Sequence, residues 1–480
     1  MIHKTRILLA ALFAAASVSA YADVPLKIWT GDRRTDTVSS AREYIIGVTA
    51  PGATARIGGE DCHVYRTGSF GREVNLVEGE NFFEVSVSKG GETAVENVRL
   101  VYVPRITGTL ERQATVEFDE PLRLVTLPGA YLQYGNGGDR LGGSKMGYID
   151  ADIPLTATAE VGGLYRVRLG ENGFAFVPKS YVAEGGQGHN LVNTGSASLA
   201  SVGRNDRLTL SLPQRLPYQA WTEIDPNTIC VKVFGAMNNS NWITQRGETG
   251  IVDYVDFRQD ESDALTLVLR LKDRSQWGYA IHYEGNSLVV DVRHRPASLA
   301  ISDLTIGLDA GHGGPYPGAW SPSGLNEKEV NLDIVLEMAR ILRGMGANVV
   351  LTRDGDTGPS MTERKRIWLE GNVDLAISVH NNSSGNPLIP MGTSCYYKHL
   401  ANRALASCLH QAVLGLGVAD FGLTGNFNFA LNQPTEYPNA LVEVLFMSSL
   451  PEEELLADPE YRKRLAAAIV DGLLNYLREA

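Results

Sequence analysis

Cysteine is scarce in this chain of 480 residues: Cys62, Cys230, Cys395 and Cys408, with no C-x-x-C pair among them. That scarcity excludes a disulfide framework. Cys395 and Cys408 are placed to meet, a strand end against a helix, but buried thiols are the simpler reading. Long apolar runs are missing too. Beyond the first 22 residues no segment reaches about 18 consecutive apolar residues, which excludes a helical membrane span. Positive charge is outweighed, 43 Lys and Arg against 55 Asp and Glu, for a net charge of −12. Nucleic acid and anionic membrane surfaces are therefore excluded as main partners. What remains, 44% hydrophobic and 20% charged residues, is the composition of a folded globular protein. The chain is too long for one core, and its length corresponds to about three to four domains.

The N-terminus carries an address. Lys4 and Arg6 precede an apolar run over residues 7–18, and Ala20-Tyr21-Ala22 fits an A-x-A cleavage site. Residues 1–22 read as a secretory signal peptide cut after Ala22. The run is too short for a bilayer span, and no Cys follows the cut to carry a lipid. The expected location is outside the cytoplasm, periplasmic or associated with the cell wall.

Three all-β modules are expected next. Residues 23–104 hold short strand-like runs at 26–30, 43–48, 73–76, 81–87 and 98–103, separated by turn signals such as Glu78-Gly79-Glu80. This spacing predicts a sandwich, and Val48-Thr49-Ala50-Pro51-Gly52-Ala53 with Gly68-Ser69-Phe70 resembles bacterial immunoglobulin-like modules. Residues 108–184 combine runs at 122–126, 155–159 and 164–169 with a Gly-rich turn and the closing Gly173-Phe174-Ala175-Phe176-Val177-Pro178. They resemble a bacterial SH3-like β-barrel and read equally well as a spacer. After the linker Ala183-Glu184-Gly185-Gly186-Gln187-Gly188-His189, residues 190–297 are again strand-rich, with runs at 207–212, 228–234, 264–271 and 287–292.

Near residue 301 the texture changes to alternating strands and helices. Strands are expected at 304–308, 349–351, 375–379 and 440–446, and helices at 327–345, 360–370, 401–414 and 459–478. In the first helix Val330, Ile334, Met338, Ile341, Leu342 and Met345 recur on one side, Asn326 is placed to cap the start and Gly346 to end it. This alternation predicts a C-terminal α/β domain, 301–480, with a largely parallel sheet.

The chemistry concentrates in that domain. In open α/β sheets, ligands bind beyond the carboxyl ends of the strands. His312 lies just past the first strand in Asp309-Ala310-Gly311-His312-Gly313-Gly314, and His380 ends the third in Ser378-Val379-His380-Asn381-Asn382. Glu327 opens the first helix, with Glu329 two residues on as a rival. Two imidazoles and one carboxylate make a catalytic zinc set that leaves the fourth position to water. Singly, a His at a strand end is an ordinary hydrogen-bonding residue, and a Glu at a helix start merely favours the dipole. Glu443 is harder to explain away: it interrupts the apolar run 440–446, where a carboxylate is costly without a partner. Beside a metal-bound water it would carry protons.

These segments, with Glu327-Lys328, Asn331-Leu332, Thr352-Arg353-Asp354, Arg364 and Asn439-Ala440-Leu441-Val442-Glu443, stand in the order of a known family. Residues 304–478 resemble the zinc-dependent N-acetylmuramoyl-L-alanine amidases, bacterial cell-wall hydrolases acting on peptidoglycan. The resemblance implies one Zn2+ held by His312, Glu327 and His380, with Glu327 preferred over Glu329 because Lys follows it. It implies Glu443 as the catalytic carboxylate, and as substrate the amide between the lactyl group of N-acetylmuramic acid and L-alanine. Asp309 is expected to orient a ligand His or to serve the strand end; Arg353 and Arg364 are expected to be structural. The module at 190–297 then resembles the β-sandwich targeting modules of periplasmic amidases, and the β modules would contact wall or protein. Where the family has a Gly-Phe step after the Glu, this chain has Leu445-Phe446. Some members carry an inserted helix that blocks the zinc site; Tyr396-Tyr397 followed closely by Leu400 leaves no room for it here. Two other classes remain open: a wall-binding protein with an inactive amidase domain, and a zinc peptidase acting on stem peptides.

Overall fold

The computed structural model describes residues 24–29, 37–104, 114–137, 142–171, 173–188 and 190–480. The expected signal peptide lies outside the described residues. The chain divides into two compact units, residues 1–105 and 106–480. The first unit has a three-stranded sheet (Leu26–Trp29, Arg42–Thr49, Ser69–Asn75) and a five-stranded sheet that includes the long hairpin Gly79–Lys89 with Glu92–Tyr102. Ile45, Phe70 and Val74 from the first sheet and Ile57, Val85 and Val87 from the second share one buried cluster. Gly47 has no side chain because the ring of Phe70 occupies that space.

The second unit begins with a seven-stranded antiparallel sheet formed by residues between Thr115 and Glu184. Its neighbours in sequence form a five-stranded and a four-stranded sheet, between Ala197 and Arg293. Leu132, Leu155 and Val177 of the former, and Leu208, Val231, Leu267 and Val290 of the latter, belong to one continuous hydrophobic cluster. The Gly-rich stretch at 185–188 therefore joins two sets of strands that bury apolar surface together.

Residues 305–479 form the α/β domain. Its six-stranded sheet runs in the order Asn348–Leu351, Thr305–Ala310, Leu375–Asn382, Asn439–Phe446, Thr393–Tyr396, Asp420–Thr424. The first four strands are mutually parallel; Thr393–Tyr396 runs antiparallel to Asn439–Phe446 and parallel to Asp420–Thr424. The helices are α1 (Glu327–Gly344), α2 (Met361–Glu370), α3 (Arg403–Leu414), α4 (Leu450–Ala457) and α5 (Pro459–Glu479). Of the expected stripe of α1, Val330, Ile334, Met338 and Leu342 are buried and Ile341 is half-buried, whereas Met345 lies past the helix end at Gly344 and is exposed; Val335, not expected there, is buried as well. Asn326 stands at its N-cap position without a side-chain cap bond.

Strand periodicity decides which face carries chemistry. Side chains alternate between the two faces of a sheet. Ile306, Leu308 and Ala310, then Leu375, Ile377 and Val379, then Ala440, Val442 and Val444, all join the cluster built with α1, α3 and α5. The intervening residues, Gly307 and Asp309, Ala376, Ser378 and His380, Leu441 and Glu443, face the other way. On that side Ala376 packs with Trp368 of α2 and with Tyr437. A Cβ on Gly307 would press on the indole of Trp368. The domain is thus a three-layer stack with one polar stripe on the α2 side.

The four cysteines are thiols: Cys230 and Cys395 are buried as expected, whereas Cys62 and Cys408 are only half-buried. The segment from Tyr396 to the short turn Leu400–Asn402 and α3 carries no inserted helix. Within the second unit, the β sheets meet the α/β domain at Asp374, which is almost fully buried. Its carboxylate accepts from Arg204 and Arg293, each at 2.8 Å, and from the Thr305 N–H at 2.8 Å. Arg293 is itself largely buried, so removing its partner strands a cation in low dielectric. Asp374→Ala should destabilise the protein by about 3 kcal/mol, seen as a lowered thermal midpoint in calorimetry.

Candidate metal centre

His380 and Glu443 are direct partners in adjacent parallel strands. Equal register on one sheet places both side chains on the same face. The strand carrying His380 does not end there, as the polar run suggests, but continues to Asn382. The pairing shifts between His380 and Asn382, a local irregularity of the kind that re-aims side chains beside functional sites.

His312 reaches the same place by a different route. The first strand extends through Asp309 to Ala310, and the chain then turns with three successive positive φ angles, 62° at His312, 123° at Gly313 and 54° at Gly314. For a non-glycine residue that backbone costs on the order of 1–3 kcal/mol. Two buried arginines hold it. Arg364 donates to the carbonyls of Ala310 (2.9 Å) and His312 (2.6 Å). Arg353 donates to those of Ala310 (2.8 Å) and Gly311 (3.0 Å), and to that of Lys328 (2.7 Å) at the start of α1. Both arginines are structural, as expected. Asp309 is the counter-charge: it accepts from Arg364, Thr352 and Ser378 (2.6 Å), a strand and helix set rather than a histidine. Of its two expected roles, the strand-end one is what the contacts support. Burial works against its charge, but Arg364 with the two hydroxyls outweighs it and holds the carboxyl below its usual range.

Glu327, at the first position of α1, is 4% exposed and sits between the two rings. His312 Nε2 lies 3.1 Å from Oε2, and His380 Nδ1 lies 3.0 Å from Oε1. Three further donors orient the carboxylate: Ala319 N–H (2.8 Å), Asn381 N–H (3.1 Å) and Asn331 Nδ2 (3.2 Å). Asn381 in turn donates to Asn331 (2.8 Å). Sequence reasoning missed both amides; Asn331 carried a usable signal, lying one helical turn from Glu327. Burial raises the Glu327 pKa, but its bonds to His312 and His380 prevail and hold it well below the carboxylate range. Burial likewise lowers the basicity of His380, but Glu327, Glu443 and Asp309 raise its pKa to about 9. Glu329, the rival, is not among the three converging ligands.

One ligand atom each from His312, Glu327 and His380 lies within 4.8 Å of the others. Two imidazoles and a carboxylate on a half-open rim match the donor set of a catalytic zinc ion. A cation shared by these atoms and a proton on His380 exclude one another, so binding the ion releases the proton. Glu443 is buried at the edge of the set and contributes to the field on His380. The loop between His312 and Glu327 exposes two aromatics, Tyr316 and Trp320.

Close backbone approach makes two glycines indispensable here. A Cβ on Gly311 would collide with the His380 ring, and one on Gly318, at φ 72°, would collide with the carboxylate of Glu327. Gly311→Ala should lower zinc affinity about 10–100-fold, the cost usual for disturbing a ligand's support, measured against a chromophoric chelator. Arg364→Ala should cost about 3–5 kcal/mol at neutral pH by leaving Asp309 buried and unpaired. A depressed carboxyl stabilises fully above its unfolded value, about 3.9, and that stability is lost as pH falls through the lower folded value. The difference between Arg364→Ala and wild type should therefore shrink on acidification, checked by urea unfolding at pH 7, 5 and 3.

A family model described as N-acetylmuramoyl-L-alanine amidase matches residues 306–475. The chain is 32% identical over 201 residues to the germination-specific N-acetylmuramoyl-L-alanine amidase of Bacillus subtilis, covering 38% of this chain and 84% of that protein. It is 33% identical over 179 residues to N-acetylmuramoyl-L-alanine amidase LytC of the same organism, covering 36% of each. Among solved structures, AmiC2 of Nostoc punctiforme is 32% identical, with 36% of this chain and 97% of that one covered and a TM-score of 0.35. The chain thus spans little more than a third of LytC, and the family match lies in the α/β domain. With the metal-type site lying inside the matched segment, the chain belongs to the N-acetylmuramoyl-L-alanine amidase family of hydrolases.

Proposed function

We propose that this protein is an exported zinc amidase that cleaves the amide between the lactyl group of N-acetylmuramic acid and L-alanine in peptidoglycan. The observation that supports it best is the convergence of His312, Glu327 and His380 within 4.8 Å, with Glu443 in register beside His380. In this reading His312, Glu327 and His380 hold the ion. When bound, zinc lowers the pKa of a ligated water and polarises a carbonyl. Glu443 takes the proton of the attacking water and delivers it to the departing amine of L-alanine. Its position on the strand beside His380 suits that shuttle, since it needs no loop movement to keep its reach. Asn331, Asn381 and Ala319 orient Glu327, and Arg364 and Arg353 fix the turn that presents His312.

The remaining expectations belong to the same proposal. The signal segment directs export to the periplasm or wall, and the β-rich portions at 23–104, 108–184 and 190–297 contact wall or protein while the α/β domain acts. No described helix is long and apolar enough to cross a membrane.

The test is muropeptide analysis of purified sacculi. Wild type should release peptides with free L-alanine amino ends and leave intact lactyl-muramic sugars. Glu443→Ala should keep its zinc and lose at least about 100-fold in turnover, the usual worth of a proton-transfer group. Chelation should abolish release, and added zinc should restore it. Retained turnover in Glu443→Ala would remove its assigned role; release of cleaved stem peptides with the muramyl amide intact would favour a peptidase.

A further inference from the structure

At the other end of the sheet lies a second concavity that the amidase reading does not use. Its volume is about 500 Å³, inside the range of small-ligand sites. The 115–184 sheet supplies Tyr148, the following sheets supply Tyr279, and the α/β domain supplies Lys365, Lys398, Gln433 and Glu436. Gln433 and Glu436 lie on the segment that enters the strand Asn439–Phe446, at its amino end. Glu443 lies four residues further along, roughly 13 Å at the usual strand rise. This cavity is therefore distinct from the metal centre.

Its chemistry is specific. Two residues that line it, Gln433 and Tyr279, are more than nine-tenths buried and carry donors that lie behind the lining with no hydrogen-bond partner among the described residues, the amide nitrogen of the first and the hydroxyl of the second. A buried unsatisfied donor costs about 1–3 kcal/mol, so two behind one cavity wall point to a missing acceptor. The charge has the matching sign. Lys365 and Lys398 line the cavity against one carboxylate, Glu436; Lys398 also donates to Asn426 and Asn428, and Arg366 on the same wall is already paired with Glu370. Lys145 adds a further cation: it stacks on Tyr148 and Tyr131, 5.3 and 4.5 Å from the ring centroids, and bears on Lys398. Burial lowers the Lys398 pKa to about 8 with help from Lys145, and burial raises that of Glu436. The rest of the wall is apolar or aromatic, including Met146, Ile281 and Leu369.

We propose that this cavity between the β sheets and the α/β domain binds a short peptide through its free carboxylate. The carboxylate faces Lys365 and Lys398 and accepts from Gln433 and Tyr279, while the peptide body lies on the apolar wall. That the peptide is a wall stem peptide, of the kind the proposed reaction frees, rests on the amidase reading; the cationic cavity does not. Because Gln433 and Glu436 lead directly into the strand of Glu443, occupancy is placed to report on the catalytic strand from its far end.

The test is calorimetric titration of the zinc-loaded full chain with L-alanyl-D-glutamate, with the same dipeptide amidated at both carboxyls, and with inorganic phosphate. The free-carboxylate dipeptide should bind at one site, the diamide should not, and phosphate should not compete. Lys365→Ala and Gln433→Leu should each weaken binding about tenfold while zinc content stays at one ion. Either variant suffices if the other fails to fold. No saturable binding by the dipeptide, binding unchanged in both variants, or equal binding of phosphate would overturn the proposal. Binding that persists in a protein unable to digest sacculi would remove the amidase reading and leave this site standing; digestion without dipeptide binding would do the reverse.

Discussion

The catalytic half of this molecule is organised around one expense, a carboxylate taken out of water. Glu327 is 4% exposed, and an ion of that kind costs several kcal/mol to bury unless it is paired and hydrogen-bonded. A carboxylate offers about four acceptor sites. Here two backbone N–H groups, one amide and two imidazoles converge on it. Meeting that demand fixes much else: the loop must return so that Ala319 reaches Oε2, Gly311 and Gly318 must lack side chains, and Asn331 must sit one turn along α1. The same arrangement leaves two ring nitrogens beside a fixed negative charge, the electrostatic condition for holding a divalent cation.

A second buried charge supports the first. Asp309 and Arg364 are both about 1% exposed, and their pair ties the first strand to α2. Arg364 also holds the His312 carbonyl, so the turn with left-handed backbone is set by a cation that cannot leave without exposing Asp309. Rigidity at the site thus comes from charges that have no solvated alternative, rather than from regular secondary structure, which is absent from most of the stretch between Ala310 and Glu327.

Much of this was legible beforehand, and the misses have common causes. His312, Glu327, His380 and Glu443 stood out because polar residues beside apolar strand runs need a reason to be there. The α1 and α5 helices were readable from their 3.6-residue spacing. The expected strand ends fall short because Asp309 and His380 look like solvent-facing residues, whereas their partners allow the strands to continue. Thr393–Tyr396 was legible only as a strand end at Cys395, without bounds, because its buried residues are Thr, Ser, Cys and Tyr rather than aliphatic. The α4 helix has no apolar stripe. It is anchored by Glu452, which accepts from the N–H groups of Gly392 and Phe446, and by Glu453, which accepts from that of Ser323. No periodicity encodes such contacts. The Gly-rich stretch after Glu184 read as a linker, yet strands on both sides of it bury one cluster, because a linker's composition says nothing about whether its flanks pack.

The loop from Gly313 to Asn326 has two roles that separate along its length. Its middle is tied to Glu327 through Ala319, while Tyr316 and Trp320 project outward on either side of that tie. The candidate ligand atoms and the outward-facing aromatics thus share a segment without sharing contacts. Exchange of residues 315–317 or 320–324 between relatives, with Gly318 and Ala319 kept, becomes a way to change the exposed rim while leaving the support of Glu327 intact. A lineage could reshape that rim by drift at Tyr316 and Trp320, at little cost to the bonds that hold Glu327.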